Sequence, residues 1–197
     1  MEYSFNIYNS LAPGGEVLAL KKLLPDMSGV PVIVCVGSDL SVGDSLGPVT
    51  GTKLKNKLKG LNVYVYGTLE KPITAHEIKY TAEFIKNTHP NSTVIAVDAA
   101  VGCAGDIGLI KLANRSLKPG SGANKRLTKI GDVSVLGIVA EKTLFNYSLF
   151  SSTRLNIVYK MADIISEGLA NYVIDTLQSG YLSESTDRIL QRVKATV

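Results

Sequence analysis

Short strand-like runs alternate with helical patterns between residues 32 and 98, and that alternation restricts the chain to a sheet covered by helices. Residues 32–37 (VIVCVG) form a β-branched run closed by glycine, and residues 61–68 (LNVYVYGT) alternate valine with tyrosine. Both patterns predict strands. Between them, the Gly47-Pro48 pair precedes a segment carrying Leu54 and Leu58, the sign of a helix that begins just after that pair. Thr74 and Glu77 have capping-box spacing, and Ile78, Ala82 and Ile85 then recur at helical intervals up to the His89-Pro90 stop. Residues 93–97 make a third apolar run with Asp98 at its last position. Strand, helix, strand, helix, strand in this order implies α/β architecture: a mostly parallel twisted sheet with helices on both faces, a three-layer sandwich.

Beyond Asp98 the pattern loosens. A strand is expected over residues 107–112, a loop over 113–129 and another strand over 133–140. A loop of that length suggests function. Ser151 or Ser152 is placed to cap a long final helix, in which Val158, Met161, Ile165, Leu169, Tyr172 and Val173 form a core stripe. Residues 178–197 show weak periodicity, with helical character around Ile189.

The 197 residues suit one domain spanning 1–197, and 45% apolar with 19% charged residues is an ordinary globular balance. The opening MEYSFNIYNS has no basic n-region or apolar h-region, and no apolar run approaches about 18 residues. These features predict a cytoplasmic protein that does not engage a membrane. Two cysteines make neither a disulfide framework nor a zinc motif: Cys35 reads as a buried hydrophobe, and Cys103 has no histidine near it in sequence. The net charge of +4 comes partly from Lys53, Lys55, Lys57 and Lys59, which spread around the expected helix as a solvated face. Without interleaved aromatic residues this is no nucleic-acid platform, so no direct nucleic-acid partner is expected. Neither G-x-G-x-x-G nor G-x-x-x-x-G-K-[ST] occurs, and no cofactor is expected.

In an open parallel sheet the loops leaving the carboxyl ends of the strands form the ligand crevice. Two such loops are acidic here. Residues 37–48, GSDLSVGDSLGP, present Asp39 and Asp44, and the segment VDAAVGCAGD presents Asp98 and Asp106. If their strands are neighbours, Asp44 and Asp98 converge. Two carboxyls in one dry cleft share a proton, so one can take a proton from water while the other donates to a carbonyl or leaving amine. Structural roles are open to the same residues: Asp44 as a helix cap, Asp98 as an acceptor for loop amides. Ser45 has no nearby histidine and reads as a helix-start residue.

These segments resemble the germination protease family, which degrades small acid-soluble spore proteins. GSDLSVGDSLGP is similar to that family's motif ending Asp-Ala-Leu-Gly-Pro, and the resemblance implies that Asp44 is its first essential aspartate. VIAVDAAVG resembles the family's strand ending in Asp-Ala and places the second on Asp98. PGSGANKR, residues 119–126, is similar to a loop downstream in the same enzymes. In its short length the chain also resembles the YyaC-like sporulation proteins. The resemblance spans residues 32–140 and implies a fold of the hydrogenase maturation endopeptidase type, phosphorylase/hydrolase-like. It also implies an aspartic endopeptidase of the forespore or spore core, and a homo-oligomer with a dimer favoured. The expected partner is a small acid-soluble spore protein or another protein substrate. Asp44 and Asp98 would be catalytic, with Gly37, Ser38, Asp39, Gly120, Ser121, Gly122, Asn124, Lys125 and Arg126 binding substrate. Two other functions compete. One is a binding or regulatory module that keeps the fold without cleavage. The other is a nickel-dependent maturation endopeptidase, which would need a histidine, whereas His76 and His89 both read as surface residues and no metal ligand is assigned.

Overall fold

The computed structural model describes residues 1–25, 29–119, 128–142 and 153–194, with side chains as far as residue 178. Its sheet has six strands in the order β1-β5-β6-β4-β2-β3. They are β1 (Glu2–Asn6), β2 (Val32–Cys35), β3 (Tyr64–Tyr66), β4 (Val94–Gly102), β5 (Leu109–Ala113) and β6 (Val133–Glu141). The β2–β3, β2–β4 and β4–β6 pairs are parallel, while β5 runs antiparallel to both β6 and β1. The sheet is therefore mixed, with its parallel part where the alternation was read.

Helices cover both faces. α1 (Ala12–Leu23), α2 (Leu46–Lys57) and α4 (Leu155–Lys194) pack on one side, where Leu20, Leu46, Leu54, Met161, Ile165 and Leu169 join Ile33, Cys35, Ile95, Val97, Ile110 and Val135 in one core. α3 (Ile78–Thr88) lies on the other side, where Ile78 and Ile85 meet Val32, Val34, Val36 and Ala96. Alternate residues of β2 thus feed opposite cores, and all four are buried. A strand sealed on both faces needs the continuous apolar run that the sequence shows. Burial of each such side chain contributes about 1.5–3 kcal/mol.

Several expectations shift. Leu46, not the residue after Pro48, begins α2, because a first-turn proline costs no helical hydrogen bond. The capping box closes as a turn ahead of α3: the Thr74 N–H donates to Glu77 Oε2 at 3.0 Å and the His76 N–H to Thr74 Oγ1 at 3.2 Å. Of the four lysines read as a solvated face, Lys53 instead ion-pairs Asp163 of α4 at 2.8 Å with its ammonium over the Tyr159 ring. Lys59 lies past the end of α2. The final helix starts at Leu155 and runs for 40 residues through the weakly periodic tail. Ser151 and Ser152 lie outside the described residues. Two unanticipated elements, β1 and α1, extend the sheet past β5 and thicken the α2–α4 layer. Among the described residues, no helix is long and apolar enough to cross a membrane.

Candidate active site

The chain passes from β2 to β3 on one side and later to β4 on the other, so the connections diverge between β2 and β4. Ligand crevices open at such a switch point, outside the carboxyl ends of the strands. Asp44 and Asp98 both lie there.

Asp44 is carried by a turn that only glycine permits. Gly37 has φ +143°, and a Cβ at this position would come within 2.1 Å of the Asp44 carbonyl oxygen. The Ser38 N–H donates to that carbonyl at 3.1 Å, and the Ser38 side chain accepts the Leu40 N–H at 3.2 Å. A 3₁₀ turn, Gly43–Ser45, then leads into α2. The Ser45 hydroxyl donates to the Val42 carbonyl at 2.7 Å, which makes it a turn residue and not a nucleophile. Gly47 lets the helix press against β2, where a Cβ would stand 1.9 Å from the Val36 carbonyl oxygen.

Asp98 is not the last residue of its strand. β4 continues to Gly102, and Asp98 pairs with Leu136 of β6. Toward β2, however, the ladder ends where Cys35 pairs with Val97, so Asp98 stands in the first row beyond it. Relative to β2 it is at a carboxyl end; relative to β6 it is mid-strand. This gives it both a rigid support and an open flank.

The electrostatics distinguish the two aspartates. Asp98 is buried, with 7% of its surface exposed. Desolvation holds its carboxyl well above the usual range, the charge of Asp44 raises it further, and the Ala99 amide partly opposes both. That N–H donates to Asp98 Oδ1 at 2.8 Å. Half-buried Asp44 is also raised by desolvation, with the Ser38 amide offsetting part of the rise. The deeper carboxyl keeps the proton and the shallower one ionises first. Such a pair offers an acid and a base in one crevice.

Of the other expected site residues, Gly37 and Ser38 shape the turn beneath Asp44, while Asp39 is exposed on its outer side. Gly120, Ser121, Gly122, Asn124, Lys125 and Arg126 lie outside the described residues. Leu117 and Ile130 form an antiparallel bridge. Both pack with Val36 and Ala96 on the face that strand alternation gives to Asp98. Cys35 is buried and Cys103 exposed.

His89 is half-buried, not simply superficial: its Nε2 lies 2.7 Å from the Tyr66 hydroxyl and its ring 4.3 Å from that of Tyr64. β3 and the end of α3 hold it at the amino end of the sheet, away from the aspartates. Among the described residues no three His, Cys, Asp or Glu side chains group as a metal site. A cavity of about 520 Å³ bordered by Asn91, Thr93 and Asp132 opens at the amino ends of β4 and β6, the end opposite the aspartates.

The fold, a mixed six-stranded sheet with helices, is similar to that of a [NiFe] hydrogenase maturation protease, HycI from Thermococcus kodakarensis KOD1. That structure superposes with a TM-score of 0.53 over 79% of this chain and 98% of its own, at 18% identity. The chain belongs to the family described as "Protein of unknown function (DUF1256)", which it matches over residues 16–168. It is also 41% identical over 152 residues to "Uncharacterized protein YyaC" of Bacillus subtilis (strain 168), covering 77% of this chain and 74% of that one. The expected fold type is thus present, and the matched family spans both aspartates.

Proposed function

We propose that this protein is an endopeptidase in which Asp44 is the base and Asp98 the acid, acting on small acid-soluble spore proteins or another protein of the spore. The observation that carries this reading is the buried Asp98 at the β2/β4 crevice, its carboxyl held well above the usual range by desolvation and then by the charge of half-buried Asp44. The similarity of the fold to that of a hydrogenase maturation protease and the three segments similar to germination proteases support it. Asp44 takes a proton from water as the water oxygen bonds to the peptide carbonyl carbon. Asp98 hydrogen-bonds the carbonyl oxygen and gives its proton to the departing amine as the C–N bond breaks. The proton held by Asp44 then restores Asp98. Gly37 and Ser38 shape the crevice, and the PGSGANKR segment contributes to substrate binding.

The test is to incubate the purified chain, Asp44→Asn and Asp98→Asn with small acid-soluble spore proteins and to map fragments by mass spectrometry. Cleavage by the parent alone is expected, with each variant at least about a hundredfold slower, the scale of losing a general acid or base. Equal cleavage by all three overturns the mechanism. No cleavage by the parent at any pH from acid to mildly alkaline overturns the enzyme in favour of a binding or regulatory module.

A further inference from the structure

The amino ends of β4 and β6 carry polar chemistry that the aspartate crevice does not use. The cavity of about 520 Å³ at that end is bordered by Asn91, Ser92, Thr93 and Asp132, with Leu24 and Pro90 as its apolar walls. Its volume is that of a small-molecule site. Two of its borders are fixed from behind. Gly29, at φ +65°, lies so close to Asn91 that a Cβ would stand 2.3 Å from the Asn91 carbonyl oxygen. The Leu24 carbonyl accepts the Tyr172 hydroxyl of α4 at 3.3 Å.

Three sources of negative potential meet at this cavity. α1 ends at Leu23, next to Leu24, and α3 ends at Thr88, just ahead of Pro90. The last four carbonyls of a helix lack intrahelical partners and hold partial negative charge. The third source is the exposed Asp132 carboxylate. The Val94 N–H donates to its Oδ2 at 2.9 Å, and the Asp132 N–H donates to the Val94 carbonyl at 2.7 Å, so the group is held at the start of β4. Its Oδ1 has no partner among the described residues. No cation is among the described residues that line the cavity. Lys21, in the last turn of α1, is engaged with Asp175 at 2.8 Å, and His89, at the end of α3, with the Tyr66 hydroxyl.

We propose that this cavity binds a small alkylammonium ion, its charged head at Asp132 Oδ1 and its hydrocarbon against Leu24 and Pro90. A guanidinium fork pairs with both oxygens of a carboxylate, and here Oδ2 already serves Val94. An ammonium needs only one of them. Its other N–H donors find further side-chain oxygens on Asn91 and Ser92 in the same cavity. The site stands at the end of the sheet opposite Asp44 and Asp98, so it is independent of the endopeptidase reading.

The test is a titration of the full-length chain with n-pentylammonium chloride, followed by the backbone amide NMR signals, with sodium chloride as the blank. Saturable shifts are expected at Gly29, Asn91, Ser92, Thr93 and Asp132, with Asp44 and Asp98 unmoved. Asp132→Asn keeps an acceptor for the Val94 N–H but removes the charge, and should weaken binding at least about fivefold. Asp132→Lys should abolish it. Neutral 1-pentanol and anionic pentanoate should bind more weakly than the ammonium. Shifts that rise without saturating, 1-pentanol as tight as pentylammonium, or an Asp132→Asn affinity equal to the parent's each overturn the site. Tighter binding of n-pentylguanidinium overturns the assignment of the head group.

Discussion

Asp44, on the turn that follows β2, and Asp98, one row past the end of the β2 ladder, share a crevice in which burial of the second, reinforced by the charge of the first, keeps the proton on Asp98. The coupling runs mainly one way, because Asp98 is the more deeply buried carboxyl and stays neutral while Asp44 ionises. Asp44→Asn should therefore lower the Asp98 pKa without returning it to the usual carboxylate range, since desolvation remains. Asp98→Asn exchanges one neutral group for another and should leave Asp44 titrating close to where it does now. Carboxyl ¹³C titrations of the parent and the two variants check both halves. Equal shifts in the two directions would contradict the ordering of acid and base.

The same burial makes Asp98 a stability cost. Unfolded, it ionises near the ordinary value of about 3.9; folded, it holds its proton to higher pH. The native state then binds the extra proton, so this contribution is complete below about pH 4 and is lost as pH rises through the folded pKa. Asp98→Asn should melt several degrees higher than the parent near neutral pH and about level with it at pH 4. Thermal unfolding across that range is the measurement. A variant less stable at neutral pH would mean that the Asp98 carboxylate is satisfied in the fold.

Much of this arrangement was legible in the sequence because the parallel strands advertise themselves. Residues buried on both faces are expected to be apolar, and β2 and the start of β4 are so without interruption, while in β6 the apolar run is broken near its start by buried Ser134. α3 declared itself by Thr74, Glu77 and its apolar spacing. The convergence of Asp44 and Asp98 needed only that β2 and β4 be neighbours. What stayed hidden was hidden for physical reasons. Ala99, Ala100 and Gly102 have low strand propensity and read as loop, yet pairing with β6 carries the strand through them, which is why Asp98 seemed to end it. α1 opens with Pro13, Gly14 and Gly15, residues that read as a turn, and tertiary packing on α4 overrides them.

Glu16, within α1, is a second buried acid with no catalytic setting. It is fully buried against Gly168 of α4, and neither oxygen has a hydrogen-bond partner among the described residues. Desolvation, with a lesser push from Glu167, raises its pKa to about 8. Between the unfolded value of about 4.3 and that folded value the native state carries the extra proton. Stability from this group falls by about 1.4 kcal/mol per pH unit across the window, a total on the order of 5 kcal/mol. Glu16→Met fills similar space without a proton to lose. Its unfolding free energy should match the parent near pH 4.5 and exceed it by several kcal/mol near pH 9, as denaturant titrations at the two pH values would show. Parallel pH profiles for the two proteins would refute the assignment.

Gly37 tests whether the turn and not merely the carboxyl makes the site. Its φ of +143° is one that a residue with a side chain rarely adopts. A Cβ would also meet the Asp44 carbonyl oxygen at 2.1 Å and Pro48 Cδ at 3.0 Å, so the strain falls on the backbone that carries Asp44. Gly37→Ala should cost about 1–3 kcal/mol in denaturant unfolding. It should also weaken the influence of Asp44 on Asp98, moving the Asp98 titration in the direction taken by Asp44→Asn. Gly14→Ala is the matched control: this glycine is inside α1 with nothing within 4 Å of a new Cβ. There, alanine should stabilise by about 0.5–1 kcal/mol through helix propensity and leave the aspartate titrations unchanged. If Gly37→Ala lost stability while the Asp98 titration stayed in place, the turn would be a fold element only, and the positioning of Asp44 would have to come from α2 alone.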